Sequence, residues 1–397
     1  MRALLLENVH PDAVTFLAGA GIEVRTEPGA LEGADLIAAV RDVQLLGIRS
    51  KTQLSAEVLD AAPGLLAVGA FCIGTNQIDL ASATAAGVAV FNAPYSNTRS
   101  VVELAIAEMI ALTRRLTEKN RALHGGVWDK SASGAHEMRG RTLGIVGYGN
   151  IGSQLSVLAE ALGMHVVCFD TAEKLMLGNA RACATLDELL AVSDIVTLHV
   201  DGRPGNAGMF GAAQLARMKP GAVFLNLSRG FVLDNGALSD ALASGRLAGA
   251  AIDVFPSEPL HQGDPFESAL CGLPNVILTP HIAGSTEEAQ QDIGRFVSAK
   301  LRDYLAEGTT TLSVNLPPIA LPRSPGSCRL ALLHDNTPGV LADVNGLLGD
   351  LEVNVEGQVL ATHGEVGYLL TDIAADHPAE LVEKIAAMPH TRRLRLA

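Results

Sequence analysis

The chain has 397 residues, 48% hydrophobic and 18% charged, with a formal net charge of −14; that length predicts two or three domains with sizeable cores and argues against global disorder. The acidic balance argues against nucleic acid or an anionic membrane as the main partner. Cys72, Cys168, Cys183, Cys271 and Cys328 are odd in number and lack C-x-x-C spacing, so neither a disulfide framework nor a metal site is expected.

The opening MRALLLENVH is too short an apolar run for a signal peptide, and no stretch reaches membrane-spanning length, so a cytoplasmic protein is expected. Short apolar strands then alternate with amphipathic helices: RALLLEN, EVRTE, LLGIRS, LLAVGAF and GVAVFN. This βα alternation predicts a parallel sheet with helices on both faces. Arg49 and Ser50 close the strand LLGIRS and are candidates for an anionic substrate. Ile73-Gly74 is expected to open a helix whose free N–H groups hold a carboxylate. Asn97 stands at the start of a long helix expected from Val101 towards Leu123. Two readings stay open for it, a plain cap or a donor to phosphate or carboxylate. Trp128, the single tryptophan, is expected to pack or to touch a second subunit.

A second βα series begins at Thr142, with strands at LGIVG, HVVCFD, DIVTLHV, AVFLNLS, AGAAIDV and NVILTPH. Its first strand runs into Gly147-Tyr-Gly149-Asn-Ile-Gly152, and its second ends at Asp170, 18 residues past Gly152. Strand, glycine turn, helix and acid in this register form a dinucleotide-binding fingerprint, with the acid expected ~20 residues on. Gly147 is expected to turn the chain tightly, Gly149 to let backbone approach a pyrophosphate, and Gly152 to let helix and strand close up. A helix starting near Asn150 points free N–H groups at the phosphates. Asp170 is expected to grip the ribose 2′-hydroxyl and to repel a 2′-phosphate, which favours NAD over NADP. Three later strands end in polar residues where an open α/β sheet places its ligands. Arg229 follows AVFLNLS, Asp253 ends AGAAID with Glu258 five residues on, and His281 follows NVILTP. Hydride transfer from an alcohol needs a base, a cation for the substrate carboxylate, and a group that orients the base. His281, Arg229 and Glu258 suit those roles in that order.

A helix over about residues 286–305 follows, then a proline-rich linker through Leu316-Pro-Pro and Leu321-Pro-Arg-Ser-Pro-Gly-Ser327. The last stretch reads RLALLH, a helix after Pro338-Gly339, QVLATH, GYLLTDIA, a helix over residues 379–387, and RRLRLA. That βαββαβ order predicts a separate ferredoxin-like module.

The stretches LNLSRG (225–230), AIDVFPSEP (251–259) and LTPHIAGS (278–285), with GIRSKT, AFCIGTNQIDL, FNAPYSNTRSVVELAI and HGGVW upstream, resemble the signatures of the D-isomer-specific 2-hydroxyacid dehydrogenases. The tail resembles an ACT domain, a small fold that binds amino acids where two copies pair. The fold implied is α/β: two doubly wound, Rossmann-like parallel-sheet domains plus a C-terminal βαββαβ module. The domains implied are substrate-binding (1–96 with 284–323), NAD-binding (97–283) and ACT (327–397). By that resemblance Arg229, Glu258 and His281 form the catalytic set. Asn150, Ile151, Asp170, Leu227, Ser228, Asp253 and Gly284 fall where the family contacts NAD. His334, Asn336 and Asn354 match positions that bind L-serine. The reaction implied is oxidation of 3-phospho-D-glycerate to 3-phosphohydroxypyruvate, the first step of serine synthesis, under serine feedback and in a homotetramer. Alternatives are another 2-hydroxy acid (glycerate, lactate or 2-hydroxyglutarate) or an NAD-sensing corepressor. Two departures from the family stand out. Pro325-Gly326-Ser327 replaces a glycine pair, which puts hinge freedom in doubt, and Asp201-Gly-Arg-Pro-Gly-Asn follows LHV where a proline is usual.

Overall fold

The computed structural model describes residues 1–259, 263–376 and 378–397. It builds three sheets. The first has strands β1 (Arg2–Leu5), β2 (Glu23–Thr26), β3 (Leu45–Ile48), β4 (Ala67–Ala70) and β5 (Ala89–Asn92), in the order β2-β1-β3-β4-β5. All its pairings are parallel. Every residue of β3, β4 and β5 is buried, which is why these strands read as unbroken apolar runs rather than alternating ones.

The second sheet has seven parallel strands: β6 (Thr142–Val146), β7 (His165–Phe169), β8 (Arg181–Ala182), β9 (Ile195–Leu198), β10 (Ala222–Asn226), β11 (Leu247–Ile252) and β12 (Val276–Leu278). Their order is β12-β11-β10-β9-β6-β7-β8. The winding reverses between β6 and β9, so a crevice opens outside the carboxyl ends of those two strands, the place where such sheets bind ligands. β8 was not expected, since two residues carry no periodicity to read.

The third sheet is antiparallel, with β13 (Cys328–Asp335), β14 (Val355–His363), β15 (Val366–Ile373) and β16 (Thr391–Leu396) in the order β14-β15-β13-β16. That is the ferredoxin-like arrangement the βαββαβ order predicts.

Two compact units result: Met1–Ser96 with Gln290–Ala397, and Asn97–Ala289. The third sheet therefore belongs to the first unit, and its residues share a core with the first sheet. Ala331, Leu333, Tyr368 and Leu370 pack in one cluster with Phe91, Tyr304, Leu316 and Ile319. Arg329 forms a fully buried ion pair with Asp372 (Nε–Oδ1 2.6 Å) and also donates to the carbonyl of Glu307. A buried pair of this kind is stable only when its remaining hydrogen-bonding groups are served as well; here Ser324 N–H donates to Asp372 Oδ2. Arg395 donates to the Tyr304 carbonyl at 2.6 Å and lies over the Tyr304 ring, and Arg393 donates to the carbonyl of Leu65 at 2.6 Å. Within the stretch expected as a linker, Leu316, Ile319 and Ser324 are thus fastened to these sheets.

The helix expected from Val101 to Leu123 is two helices, Thr98–Thr113 and Leu116–His124. Arg115 breaks it by taking a left-handed backbone (φ 52°), with its guanidinium donating to Glu118 and to the Ser133 carbonyl. The sequence there is free of glycine and proline, so nothing local announces the break. Among the described residues no helix is long and apolar enough to cross a membrane, and no cluster of three or more metal-ligating side chains occurs.

Candidate active site

In the second unit, β6 runs into the glycine turn as expected. Gly147 has φ 93°, and a Cβ there would fall 2.5 Å from the His199 carbonyl oxygen. A Cβ on Gly152 would fall 2.3 Å from the Gly147 oxygen, so the close approach of helix to strand requires glycine. Around Gly149 nothing lies within 4 Å of that position, leaving backbone open to a ligand at the start of the helix Asn150–Ala161. Ile151 packs against the core from the first turn of that helix. Asp170 follows β7 and is tied to the turn: Oδ2 accepts from Tyr148 N–H at 2.8 Å and Oδ1 from Ala172 N–H at 2.9 Å. An open glycine backbone, a helix N-terminus and an oriented carboxylate together fit a dinucleotide.

Three adjacent strand ends bring the chemical groups into neighbouring loops. After β10, Asn226 is fully buried and organises the turn. Its Oδ1 accepts from Ser228 N–H and Oγ, and its Nδ2 donates to the Arg229 carbonyl at 3.0 Å. Leu227 and Ser228 are buried beside it, and Arg229 donates from Nη1 to the Ser228 carbonyl. A Cβ on Gly230 would collide with Phe255 backbone at 1.9 Å, so the loops after β10 and β11 touch here.

After β11, Asp253 plays the matching part. It is fully buried; its Oδ1 accepts from Thr279 Oγ1 (2.6 Å) and Ile282 N–H (2.8 Å), and its Oδ2 from Ala283 N–H (3.0 Å). Burial raises the Asp253 carboxyl above its ordinary range, and these hydrogen bonds offset only part of that. The loop so held carries His281, whose φ of 54° is rare for a residue with a Cβ. His281 N–H donates to the Asp253 carbonyl at 2.8 Å.

The His281 ring meets Glu258, Nδ1 to Oε2 at 2.8 Å, while Glu258 Oε1 accepts from Phe255 N–H. The hydrogen bond to Glu258 raises the His281 imidazole above its usual value against the pull of burial. Burial pushes the Glu258 carboxyl up, but its bond to His281 and the charge of that ring hold it below the usual range. The two shifts agree: the pair favours imidazolium beside carboxylate. His199, by contrast, is pushed down to about 4 by burial, which favours its neutral form.

The loop 201–206, where the usual proline is missing, lies against Arg229: a Cβ on Gly202 would come 3.3 Å from Arg229 Nε. Asp201 pairs with Arg203, Nε to Oδ1 at 2.7 Å, and accepts from Asn206. The departure thus touches the candidate carboxylate site. Asn97 precedes the helix Thr98–Thr113 but makes no side-chain cap bond, and its buried Oδ1 has no partner. Its Nδ2 lies 2.1 Å from where Gly284 would carry a Cβ, so Gly284 leaves room for this side chain. The absent cap bond weighs against the plain-cap reading.

In the first unit β3 ends at Ile48, and Arg49 and Ser50, expected to close that strand, follow directly after it. Ile73-Gly74 opens no helix. Both residues lie in an irregular turn, and the next helix begins only at Leu80, capped by the Asp79 side chain. The acidic cap and the intervening Thr75–Ile78 turn set that start; the expected helical N–H donors at 73–74 do not exist.

In the third sheet His334 is buried on β13, its ring against Gly367 and its Nδ1 at 2.8 Å from the Asp335 carbonyl. Asn336 follows in the loop and donates to the Gly364 carbonyl. Asn354 precedes β14 at the opposite end of the sheet. His334 pairs with Gly367 while Val355 pairs with Ile373, a separation of about 20 Å along β15. One copy of the chain therefore cannot bring His334 and Asn354 to one small ligand. Trp128 is 78% exposed, so it is no part of a core among the described residues.

Residues 106–283 match the model of the D-isomer specific 2-hydroxyacid dehydrogenase, NAD binding domain, and residues 330–393 match that of the AHAS small subunit-like ACT domain. The D-3-phosphoglycerate dehydrogenase of Escherichia coli (strain K12) is 48% identical over 100% of this chain and 97% of its own length. The enzyme of the same name from Dictyostelium discoideum is 45% identical over 100% and 97%. Among solved structures, D-2-hydroxyisocaproate dehydrogenase superposes with a TM-score of 0.71 at 25% identity, covering 79% of this chain and 100% of its own. A D-lactate dehydrogenase from Aquifex aeolicus, complexed with NAD and lactic acid, gives 0.68 at 25% identity over 76% and 95%. Fold and fingerprint thus define an NAD-dependent dehydrogenase. The chain belongs to the D-isomer-specific 2-hydroxyacid dehydrogenase family, with an ACT domain at its C-terminal end.

Proposed function

We propose that this dehydrogenase oxidises 3-phospho-D-glycerate to 3-phosphohydroxypyruvate, the first step of L-serine synthesis. The His281–Glu258 pair at 2.8 Å, in the loop next to Arg229, carries the reading; the full-length similarity to enzymes named for phosphoglycerate supplies the substrate. Bound NAD would supply the acceptor for the hydride leaving the substrate carbon. With Nδ1 facing Glu258, the other ring nitrogen of His281 takes the hydroxyl proton, and Glu258 stabilises the imidazolium that forms. Arg229 holds the substrate carboxylate by charge-assisted hydrogen bonds. Arg49 and Ser50 recognise the phosphate, with Asn97 and the 73–74 turn as further substrate contacts. Gly147, Gly149, Asn150, Ile151 and Gly152 would hold the pyrophosphate of NAD, Asp170 the adenosine ribose, and Leu227, Ser228, Asp253 and Gly284 the rest of the cofactor. The working domains are residues 1–96 with 284–323 for substrate, 97–283 for NAD, and 327–397 for regulation. L-serine binds at His334, Asn336 and Asn354 between paired copies, and exposed Trp128 meets a second subunit in a homotetramer.

Steady-state turnover with NAD and 3-phosphoglycerate, set beside glycerate, lactate and 2-hydroxyglutarate, tests the reading. A strong preference for the phosphorylated acid is expected. Equal or better use of an unphosphorylated acid replaces the substrate; turnover of none, with NAD still bound, favours a cofactor-sensing role.

A further inference from the structure

The first unit contains a buried carboxylate that the proposed chemistry leaves unused. Glu7 lies just past β1, is 8% exposed, and has φ 63°; Asn8 follows with φ 53°. Two successive left-handed residues with side chains are sterically disfavoured, so this turn persists because something holds it. The N–H groups of Glu7 and Asn8 donate to the carbonyls of Gly29 (3.0 Å) and Glu27 (3.4 Å), and the Glu7 side chain is held by the turn after β3, more than forty positions away in sequence. Glu7 Oε1 accepts from the N–H groups of Arg49 (3.1 Å) and Thr52 (2.9 Å), and Oε2 accepts from that of Lys51 (3.0 Å).

From the other side, Gln77, 3% exposed, donates from Nε2 to the Arg49 carbonyl at 2.6 Å and to the Gly74 carbonyl at 3.1 Å. Asn92 Nδ2 donates to the Ile73 carbonyl at 2.6 Å. The backbone of Arg49 is thus held at its N–H by Glu7 and at its C=O by Gln77, and Gln77 ties that turn to residues 72–74. A carboxylate is the group this geometry calls for, because both oxygens accept and charge-assisted bonds are the stronger kind. A glutamine at position 7 would turn one acceptor into an N–H₂ facing an N–H.

We propose that Glu7, with Gln77, is a positioning residue for substrate recognition: it clamps the 49–52 turn so that Arg49 and Ser50 meet the anionic substrate in one fixed pose. The inference rests on the reading of Arg49 as the phosphate-recognising residue. It makes Glu7 act through Arg49 on binding, without touching substrate or the hydride-transfer step.

The experiment is a kinetic comparison of Glu7→Gln, Glu7→Asp, Arg49→Ala and the Glu7→Gln/Arg49→Ala double variant in the full chain, with thermal unfolding alongside. Glu7→Gln is isosteric and keeps fold loss from masking the result. Loss of a charge-assisted hydrogen bond predicts a KM for 3-phosphoglycerate raised about tenfold or more, with kcat within about twofold and the KM for NAD unchanged. Glu7→Asp keeps both acceptors on a shorter stem and is expected to fall between parent and Glu7→Gln. In the double variant the Glu7 effect should largely vanish, since residues acting through one contact are not additive. A normal KM in Glu7→Gln beside a raised one in Arg49→Ala overturns the clamp and leaves the Arg49 reading standing. Full additivity, or a fall in kcat with both KM values and the unfolding temperature moving together, also overturns it. A normal KM in Arg49→Ala overturns both.

Discussion

At the scale of single residues, the direction of the His281 pKa shift fixes the pH behaviour expected of catalysis. His281 is raised above its ordinary value by Glu258. Oxidation needs the neutral imidazole, so kcat/KM for the alcohol should climb as pH rises through that raised pKa. Reduction of the oxo acid needs the imidazolium and should fall over the same interval. Glu258→Gln removes the carboxylate that holds the proton, so both limbs should move to lower pH, with a smaller loss of turnover than removal of the ring. His281→Ala should lower turnover by about 10²–10⁴-fold while NAD binding, followed by fluorescence quenching, stays intact. Near-normal turnover in that variant would remove His281 from the mechanism. Asp170 offers a second test. Its carboxylate is already oriented by Tyr148 and Ala172, so Asp170→Ala should weaken NAD binding and narrow the preference over NADP; an unchanged cofactor ratio would put the selectivity elsewhere.

At the scale of elements, the sheets were legible because buried parallel strands such as Leu45–Ile48 and Ala222–Asn226 are apolar throughout and end at turn residues. The glycine turn was legible because each close approach needs a missing Cβ. What escaped was long-range: the break at Arg115, the irregular turn at Ile73-Gly74, and the buried clamps Asn226 and Glu7. A polar residue just past a strand looks the same in sequence whether it meets solvent or three backbone N–H groups from another loop. Glu108 escaped for the same reason. It sits on the helix Thr98–Thr113, is 3% exposed, and neither carboxyl oxygen has a partner. Burial, with the nearby charge of Asp253, pushes it up to about 8. The folded chain therefore keeps a proton that the unfolded chain releases above pH about 4.3. Stability from this group is full below that value and is lost as pH rises towards about 8. Glu108→Gln, neutral at every pH, should differ least from the parent near pH 4 and unfold at a progressively higher temperature than the parent up to pH 8. A difference in melting temperature that stays constant across that range would show that Glu108 titrates normally.

At the scale of the whole molecule, the proposed serine regulation poses two separable questions: where serine would bind and how binding would be felt. The register of the third sheet constrains the first, since His334 and Asn336 lie at one end and Asn354 at the other, about 20 Å apart. A serine site using all three needs two chains related by a two-fold axis, with each pair of chains building two equivalent sites. Asn336→Ala and Asn354→Ala should each abolish serine binding in calorimetry. When the two variants are mixed and reassembled, a hybrid pair holds one site with both substitutions and one with neither. Binding should therefore return at half the parent stoichiometry within the hybrids. If mixing restores nothing, the three residues do not share a site across chains. The second question concerns coupling, which requires serine to bind the less active state better than the active one. The buried Arg329–Asp372 pair and the core shared by Tyr368, Tyr304 and Phe91 leave the third sheet no free hinge against the first. Serine is expected to act on the first unit as one body, so loosening that junction should weaken inhibition without weakening binding. Arg395→Ala, which removes the contacts to Tyr304, should leave the serine Kd unchanged and raise the concentration needed for half-inhibition. A parallel rise in both would place Arg395 in serine binding instead, and unchanged inhibition would show that the signal leaves the ACT domain by another route.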